Sequence, residues 1–427
     1  MKYAALEEHK EKLSSSLIRY LDESVQSDDQ KITVLVHREN DMDAETASSL
    51  ERDIEVSGAK IIDRLEFIKT DIMHITPEKL SEIVKNPGVK SVSIERNFYA
   101  LMDTARKVVS EPSQFGTTLD GSGVTIAILD TGIHPHRDLT EPTNRIIGFF
   151  DAFSGQETDP FDDNGHGTHC AGCAAGNGVS SNNKFRGPAH KANIVGVRVL
   201  KNSPNPMDPR ATGPNTVILK GIEWCIRNKQ RFGINVMSLS IGGEAFESAE
   251  TDALCIGVRQ AMLAGITVVV AAGNSGRSGP QTIESPGIEP TIVTVGATDD
   301  HNTLDKTDDN VAIFSSRGPT IDGETKPDIV APGSNIISLR VPGSRLDRVF
   351  PEMRIGEDYF SMDGTSMATP IVAGIAALLL QESPNTKPNE IKKLLREGAI
   401  DMFHQPNDAG KGYVNLQGAL DRLLVRV

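Results

Sequence analysis

Apolar positions along this chain follow two regimes. Through residues 31–97 they alternate or recur at helical spacing; after residue 121 they bunch into short continuous runs. Ile32, Val34 and Val36 alternate within Lys31–His37, which marks a half-buried strand. Ala47, Leu50 and Ile54 share one face of a helix over Asp43–Val56, stopped by Ser57-Gly58. Lys60–Phe67 and Ile68–Ile75 read as two strands. Thr76-Pro77 opens a second helix carrying Leu80, Ile83 and Val84, and Asn86-Pro87 closes it. Val89–Ile94 is the last strand of this stretch. Upstream, in residues 1–30, Leu6, Leu13, Leu17 and Tyr20 lie on one helical face, followed by the polar turn Ser27-Asp28-Asp29.

The order βαββαβ over 31–97 is that of a ferredoxin-like split unit. Residues 98–120 are a connector of mixed character with some helical pattern. Beyond Gly121-Ser122-Gly123 the runs Val124–Leu129, Ile194–Val199, Val236–Ser240, Thr267–Ala271 and Ile292–Val295 alternate with amphipathic helices. Such runs predict a parallel sheet covered by helices on both faces, so 121–427 is read as one α/β domain.

Charge and cysteine usage narrow the function classes. A formal net charge of −14 argues against nucleic acid or an anionic membrane as a main partner. The N-terminal segment lacks the apolar stretch of a secretory signal, and no run of about 18 apolar residues predicts a membrane span. The cytoplasm is the expected location. Cys170, Cys173, Cys225 and Cys255 then read as free, buried thiols. Cys170 and Cys173 form a CxxC, but no second pair completes a zinc site.

Three segments carry candidate chemistry. Ile128-Leu129-Asp130-Thr131-Gly132 places an acid at the carboxyl end of a buried strand, where open α/β sheets gather their functional groups; a turn aspartate fits equally well. In Asn164-Gly165-His166-Gly167-Thr168-His169-Cys170-Ala171-Gly172, glycines flank His166, and small residues suit a tightly packed helix. His166 and His169 are three apart, yet no glutamate accompanies them as in a zinc protease. Gly364-Thr365-Ser366-Met367-Ala368-Thr369-Pro370 leads into Ile371–Leu380, apolar on all sides. Ser366 there is either an N-cap or a nucleophile at a helix N-terminus whose N–H groups face a developing oxyanion.

Together, in the order Asp, His, Ser, the three segments match one known arrangement of a catalytic triad. The chain resembles the subtilisin-like serine proteases (subtilases) in ILDTGI (128–133), HGTHCAG (166–172) and GTSMATP (364–370), with Ala271-Ala272-Gly273-Asn274 as a fourth matched element. Joined with Ile313–Pro319 and PDIVAPG, these motifs look like the AprX-type subtilases. The resemblance covers about 121–427, and 31–97 looks like the family's inhibitory propeptide. It implies a serine endopeptidase with Ser366 as nucleophile, His166 as general base and Asp130 orienting the imidazole. Asn274, the Ser366 N–H and, as a weaker donor, Thr365 would hold the oxyanion.

The resemblance further implies that Ser240, Ile241 and Gly242 form one wall of the pocket for the P1 side chain, the residue before the cut. Ala272, Gly273 and Ser275 would form another, with space for a large apolar P1. The opposite substrate edge is expected near Ala211-Thr212-Gly213, after an unusually long loop, Lys201–Pro214. The propeptide tail Asn97-Phe98-Tyr99-Ala100-Leu101-Met102 would lie in the cleft, with self-cleavage near residues 98–103, at Leu101 or Met102. Calcium is a candidate cofactor, at Asp138 or at Asp328 with carbonyls near Gly287, Glu289 and Ile292; Asp159, Asp162 and Asp163 are a third acidic group. An esterase using the same triad and a non-catalytic binding relative are the competing readings. The expected partners are polypeptide substrates and the chain's own propeptide domain.

Overall fold

A computed structural model describes residues 4–23, 30–101, 119–299 and 309–424. In the N-terminal part, Ile32–Arg38, Lys60–Leu65, Thr70–Ile75 and Val89–Ile94 pair antiparallel, in the spatial order Lys60–Leu65, Thr70–Ile75, Ile32–Arg38, Val89–Ile94. Helices Ala44–Ser57 and Pro77–Val84 complete the ferredoxin-like unit. Asp43 caps the first through Thr46 N, and Gly58, at φ +71°, ends it. The strands read as meeting at Phe67/Ile68 are instead separated by one 3-10 turn, Glu66–Ile68, with Lys69 in the left-handed region. Phe67 and Ile68 are apolar because they pack against the large domain.

Helix Ser15–Glu23 joins this small core. Leu6, Leu13, Leu17 and Leu21 pack with Val34, Val36, Leu80 and Val92, and Lys12 Nζ donates to the carbonyls of Val84 and Asn86. The N-terminal segment is therefore part of the small domain's core.

Among the described residues, the large domain is built on a nine-stranded sheet. Its parallel strands run Ile329–Pro332, Val293–Asp299, Thr267–Ala271, Ile234–Leu239, Thr125–Asp130, Asn193–Arg198 and Ile146–Asp151. The short segments Asn310–Val311 and Gln156–Glu157 add antiparallel pairs. One face is covered by helices His166–Ala175 and Thr365–Glu382, the other by Asn215–Arg227 and Ala253–Leu263. Thr365–Glu382 is long and apolar enough to cross a membrane by composition, but 89% of it is buried inside the protein. It is the central helix of the core, as its all-round apolarity requires.

A further sheet joins the two parts. Asn97–Ala100, the last residue of the 31–97 unit and the first three of the connector, expected as a tail lying strand-like in the cleft, is a strand between Ala211–Pro214 and Ile241–Gly242. Arg96 anchors its beginning: its guanidinium donates to Asp252 Oδ2 at 2.7 Å and to the Glu244 carbonyl at 3.0 Å.

Candidate active site

Asp130 ends its strand with its side chain fully buried, and Oδ1 stands 2.7 Å from His166 Nδ1. The Thr131 N–H bonds the same oxygen at 2.7 Å. His166 is the first residue of its helix. A Cβ on Gly167 would strike the Gly132 carbonyl and come 3.0 Å from Asp130 Cβ, so glycine there is what lets the helix reach the aspartate. Gly165, at φ +105°, turns the chain into the helix.

Asp162 fixes this arrangement. Its Oδ1 accepts from Thr131 Oγ1 (2.9 Å) and from the N–H groups of Asn164 (3.0 Å) and Gly165 (2.9 Å); Oδ2 accepts from Thr168 N (3.0 Å) and Thr168 Oγ1 (2.7 Å). A buried carboxylate thus ties the loop after Asp130 to the N-terminus of the His166 helix. Asp162, grouped by sequence with Asp159 and Asp163, is an internal anchor, and its oxygens are committed to protein donors.

Ser366 lies in the first turn of the central helix, buried. Its hydroxyl donates to the Ser240 carbonyl at 3.0 Å, and His166 Nε2 has no hydrogen-bond partner among the described residues. Pro370, four residues on, has no N–H to give the Ser366 carbonyl. That carbonyl instead accepts from Ser240 Oγ (2.8 Å) and from Cys170 Sγ (3.4 Å). Cys170 Sγ is also 3.8 Å from His166 Nδ1, which places the serine and histidine segments around one thiol.

Asn274 follows the buried strand Thr267–Ala271. Its Oδ1 accepts from Thr365 N (3.0 Å) and Thr365 Oγ1 (2.9 Å), leaving Nδ2 without a partner among the described residues. Thr365 was expected as a weak oxyanion donor. Its hydroxyl proton is instead spent on Asn274 Oδ1, so Thr365 positions the asparagine. A Cβ built on Gly364 would be 3.1 Å from Asn274 Nδ2 and 2.6 Å from the Leu101 carbonyl oxygen. The Leu101 carbonyl and Asn274 Nδ2 therefore both border Gly364, with no hydrogen bond between them.

The tail approaches as a strand. Ala100 and Tyr99 pair with Ile241 and Gly242; Tyr99, Phe98 and Asn97 pair with Thr212, Gly213 and Pro214; the Leu101 N–H points to the Ser240 carbonyl at 3.4 Å. Leu101 Cδ1 would lie 2.9 Å from a Cβ on Gly242, and Gly243 makes room for the buried ring of Phe98. Of the other expected wall, a Cβ on Gly273 would come 2.7 Å from the Glu284 side chain, Ala272 is buried with Ile283 and Ile288, and Ser275 Oγ donates to the Glu284 carboxylate at 2.8 Å. Met102 lies outside the described residues. In the long loop Lys201–Pro214, the carbonyls of Asn205, Asp208 and Ser203 are held by the Arg345 guanidinium.

The expected calcium positions are occupied by protein groups. Both oxygens of Asp138 accept from the protein, Oδ2 from Tyr359 OH (2.6 Å) and Oδ1 from Ser180 N (2.9 Å). At Asp328, two ammonium groups stand where a cation was expected. Lys326 Nζ, buried, is 2.7 Å from Asp328 Oδ2 and 3.3 Å from the Ile292 carbonyl; Lys392 Nζ is 3.0 Å from Asp328 Oδ1 and 2.7 Å from the same carbonyl. These ammoniums hold the Asp328 carboxyl below its ordinary range against the opposing effect of burial. Glu289 pairs with Arg259 at 2.7 Å, and the Gly287 carbonyl accepts from Thr294 Oγ1.

The four cysteines are free and buried. Burial raises the Cys170 thiol well above its ordinary range and Cys173 to about 12, so both stay protonated at neutral pH. His169, which a metal pair would have required, binds the carbonyls of Ile336 and Phe360 through Nε2 and is lowered by burial to about 3.

The sequence profile described as the subtilase family matches residues 121–419. The chain is 46% identical to serine protease AprX of Bacillus subtilis over 371 residues, 85% of this chain and 81% of that protein. It is 31% identical to M-protease of Shouchella clausii over 87% of this chain and 83% of that one. Among solved structures, fervidolysin of Fervidobacterium pennivorans, described as a keratinolytic enzyme related to subtilisin, superposes with a TM-score of 0.69 at 24% identity. The match takes in 92% of this chain and 61% of fervidolysin's length, and it supports the fold alone.

Proposed function

From the premise that this chain belongs to the subtilase family, as an AprX-type serine endopeptidase, we propose that it is made as a self-inhibited precursor that cuts itself after Leu101. The observation that carries this reading is the Leu101 carbonyl, bordering Gly364 together with Asn274 Nδ2, at the end of a tail paired on both edges with cleft strands. Leu101 then occupies the P1 position, Ala100 P2, Tyr99 P3 and Phe98 P4.

In this mechanism Ser366 Oγ turns from the Ser240 carbonyl to His166 Nε2, loses its proton there and attacks the scissile carbonyl. Asp130 Oδ1 holds the Nδ1–H tautomer and stabilises the imidazolium without taking the proton. The oxyanion is received by Asn274 Nδ2 and the Ser366 N–H at the helix N-terminus. His166 then protonates the leaving amine, and water repeats the sequence on the acyl-enzyme.

The substrates are polypeptides, with a large apolar P1 such as leucine accepted in the slot. Two-edged strand pairing is a device for peptides, which favours this reading over an esterase using the same triad. Residues 4–101 act as folding aid and inhibitor. The cytoplasm suits four unpaired thiols. The purified wild-type chain should be smaller than Ser366→Ala by about 100 residues, the length of the N-terminal part. Equal masses after prolonged incubation would count against self-cleavage.

A further inference from the structure

A second carboxyl group stands in the substrate slot, and the peptide chemistry above leaves it unused. Glu284 is 9% exposed, and its N–H donates to the Ala272 carbonyl at 2.9 Å, which holds it beside the Asn274 turn. Oε1 accepts from Ser275 Oγ at 2.8 Å and from Asn274 N at 3.3 Å. Oε2 faces the other way. A Cβ on Gly242 would collide with Glu284 Oε2 and come 2.9 Å from Leu101 Cδ1, so the oxygen and the leucine methyl flank the same point. A Cβ on Gly273, at φ +114°, would also come 2.7 Å from both Cγ and Cδ of Glu284. The two glycines thus leave room for a carboxyl group as well as for a substrate chain.

Leucine offers that oxygen no donor. A lysine ammonium lies two bonds beyond the δ carbon, about 2.5 Å further into the slot. A cation there would meet a carboxylate already removed from water, where charge-assisted hydrogen bonds are strong. Burial raises the Glu284 carboxyl above its ordinary range, and the nearby Glu244 carboxylate pushes the same way; Ser275 Oγ and the Asn274 N–H act in the opposite direction.

We propose that Glu284 determines P1 specificity, accepting lysine by pairing its Oε2 with the substrate ammonium in the slot that Leu101 fills in the uncut chain. The inference rests on the endopeptidase reading above and names a substrate class within it. The self-inhibiting leucine then leaves the slot's carboxyl unpaired, and a lysine substrate completes it.

The test uses the purified full chain and peptide anilides identical at P4–P2 and ending in Lys, Leu or Glu at P1. The Lys-to-Leu ratio of kcat/KM should rise with pH, through and above the ordinary carboxyl range, as the Glu284 carboxyl raised by burial ionises. The ratio cancels any pH dependence shared by the two substrates. In Glu284→Gln the ratio at the upper pH should fall about tenfold or more, the scale of one charge-assisted hydrogen bond, and the Glu anilide should improve relative to Leu. If that variant does not fold, the wild-type pH profile decides alone. A flat ratio with the Leu anilide still hydrolysed overturns the role of Glu284 and leaves the endopeptidase reading standing. No hydrolysis of any anilide by the wild type, matching Ser366→Ala, overturns that reading and this one with it.

Discussion

At the scale of single residues, the site depends on side chains that aim other side chains. Thr365 spends its hydroxyl on Asn274 Oδ1, and the donor Nδ2 has no partner among the described residues. Asn274→Leu should lower kcat by about 10²–10³ with KM little changed, the usual loss on removing an oxyanion donor. Thr365→Val keeps the backbone N–H to Asn274 and removes the two hydroxyl bonds, the one donated to Asn274 Oδ1 and the one accepted from the Gly273 N–H at 3.3 Å. It should lower kcat about tenfold, measured on the same anilide at saturating substrate. Asp130, His166, Asn274 and Ser366 stood out in the sequence because their motifs are short and ordered. Asp162 stood out only as one of three neighbouring acids with a possible cation role, and Glu284 did not stand out at all. A carboxylate that caps a helix and one that faces a substrate are the same letter in a chain, and only the position of their neighbours separates them. Asp328 misled for a related reason: its oxygens gather positive charge, but the charge comes from Lys326 and Lys392.

At the scale of elements, periodicity revealed most strands and left out those with weak patterns. Ile146–Asp151 is interrupted by Gly148, and Ile329–Pro332 is four residues ending in proline. Asn97–Ala100 has no strand pattern of its own length; it is extended because two cleft edges supply its hydrogen bonds. The small domain carries a titration built into its sheet. His37 is buried between Thr70 Oγ1 (2.7 Å) and Ser93 Oγ, and burial lowers it to about 4 from 6.5. Below 6.5 the unfolded chain binds a proton that the folded domain refuses until about 4, so stability falls across that window as pH drops. The limiting slope from one such group is about 1.4 kcal/mol per pH unit. Thermal melts of Ser366→Ala from neutral to acid pH should show this decline, and His37→Gln should make it shallower. Equal slopes would assign the acid sensitivity to other groups.

At the scale of the whole molecule, the two parts are joined by a strand and by charge. Arg96 pairs with Asp252, whose side chain is fully buried, and Ser16 bonds the buried Glu247. Removing one partner of a buried ion pair strands the other, at a typical cost of about 3–5 kcal/mol. Arg96→Ala should therefore loosen the tail and shorten the lag before activity appears, followed by continuous anilide assay; an unchanged lag would show that Arg96 does not restrain it. A strand seated where substrates must sit also has a consequence for dosage. While the peptide bond after Leu101 is whole, the tail is tethered at an effective concentration in the millimolar range, whatever the amount of protein present. Once the bond is cut, occupancy follows mass action. A crowded preparation should remain silent, and specific activity should climb as the same sample is diluted.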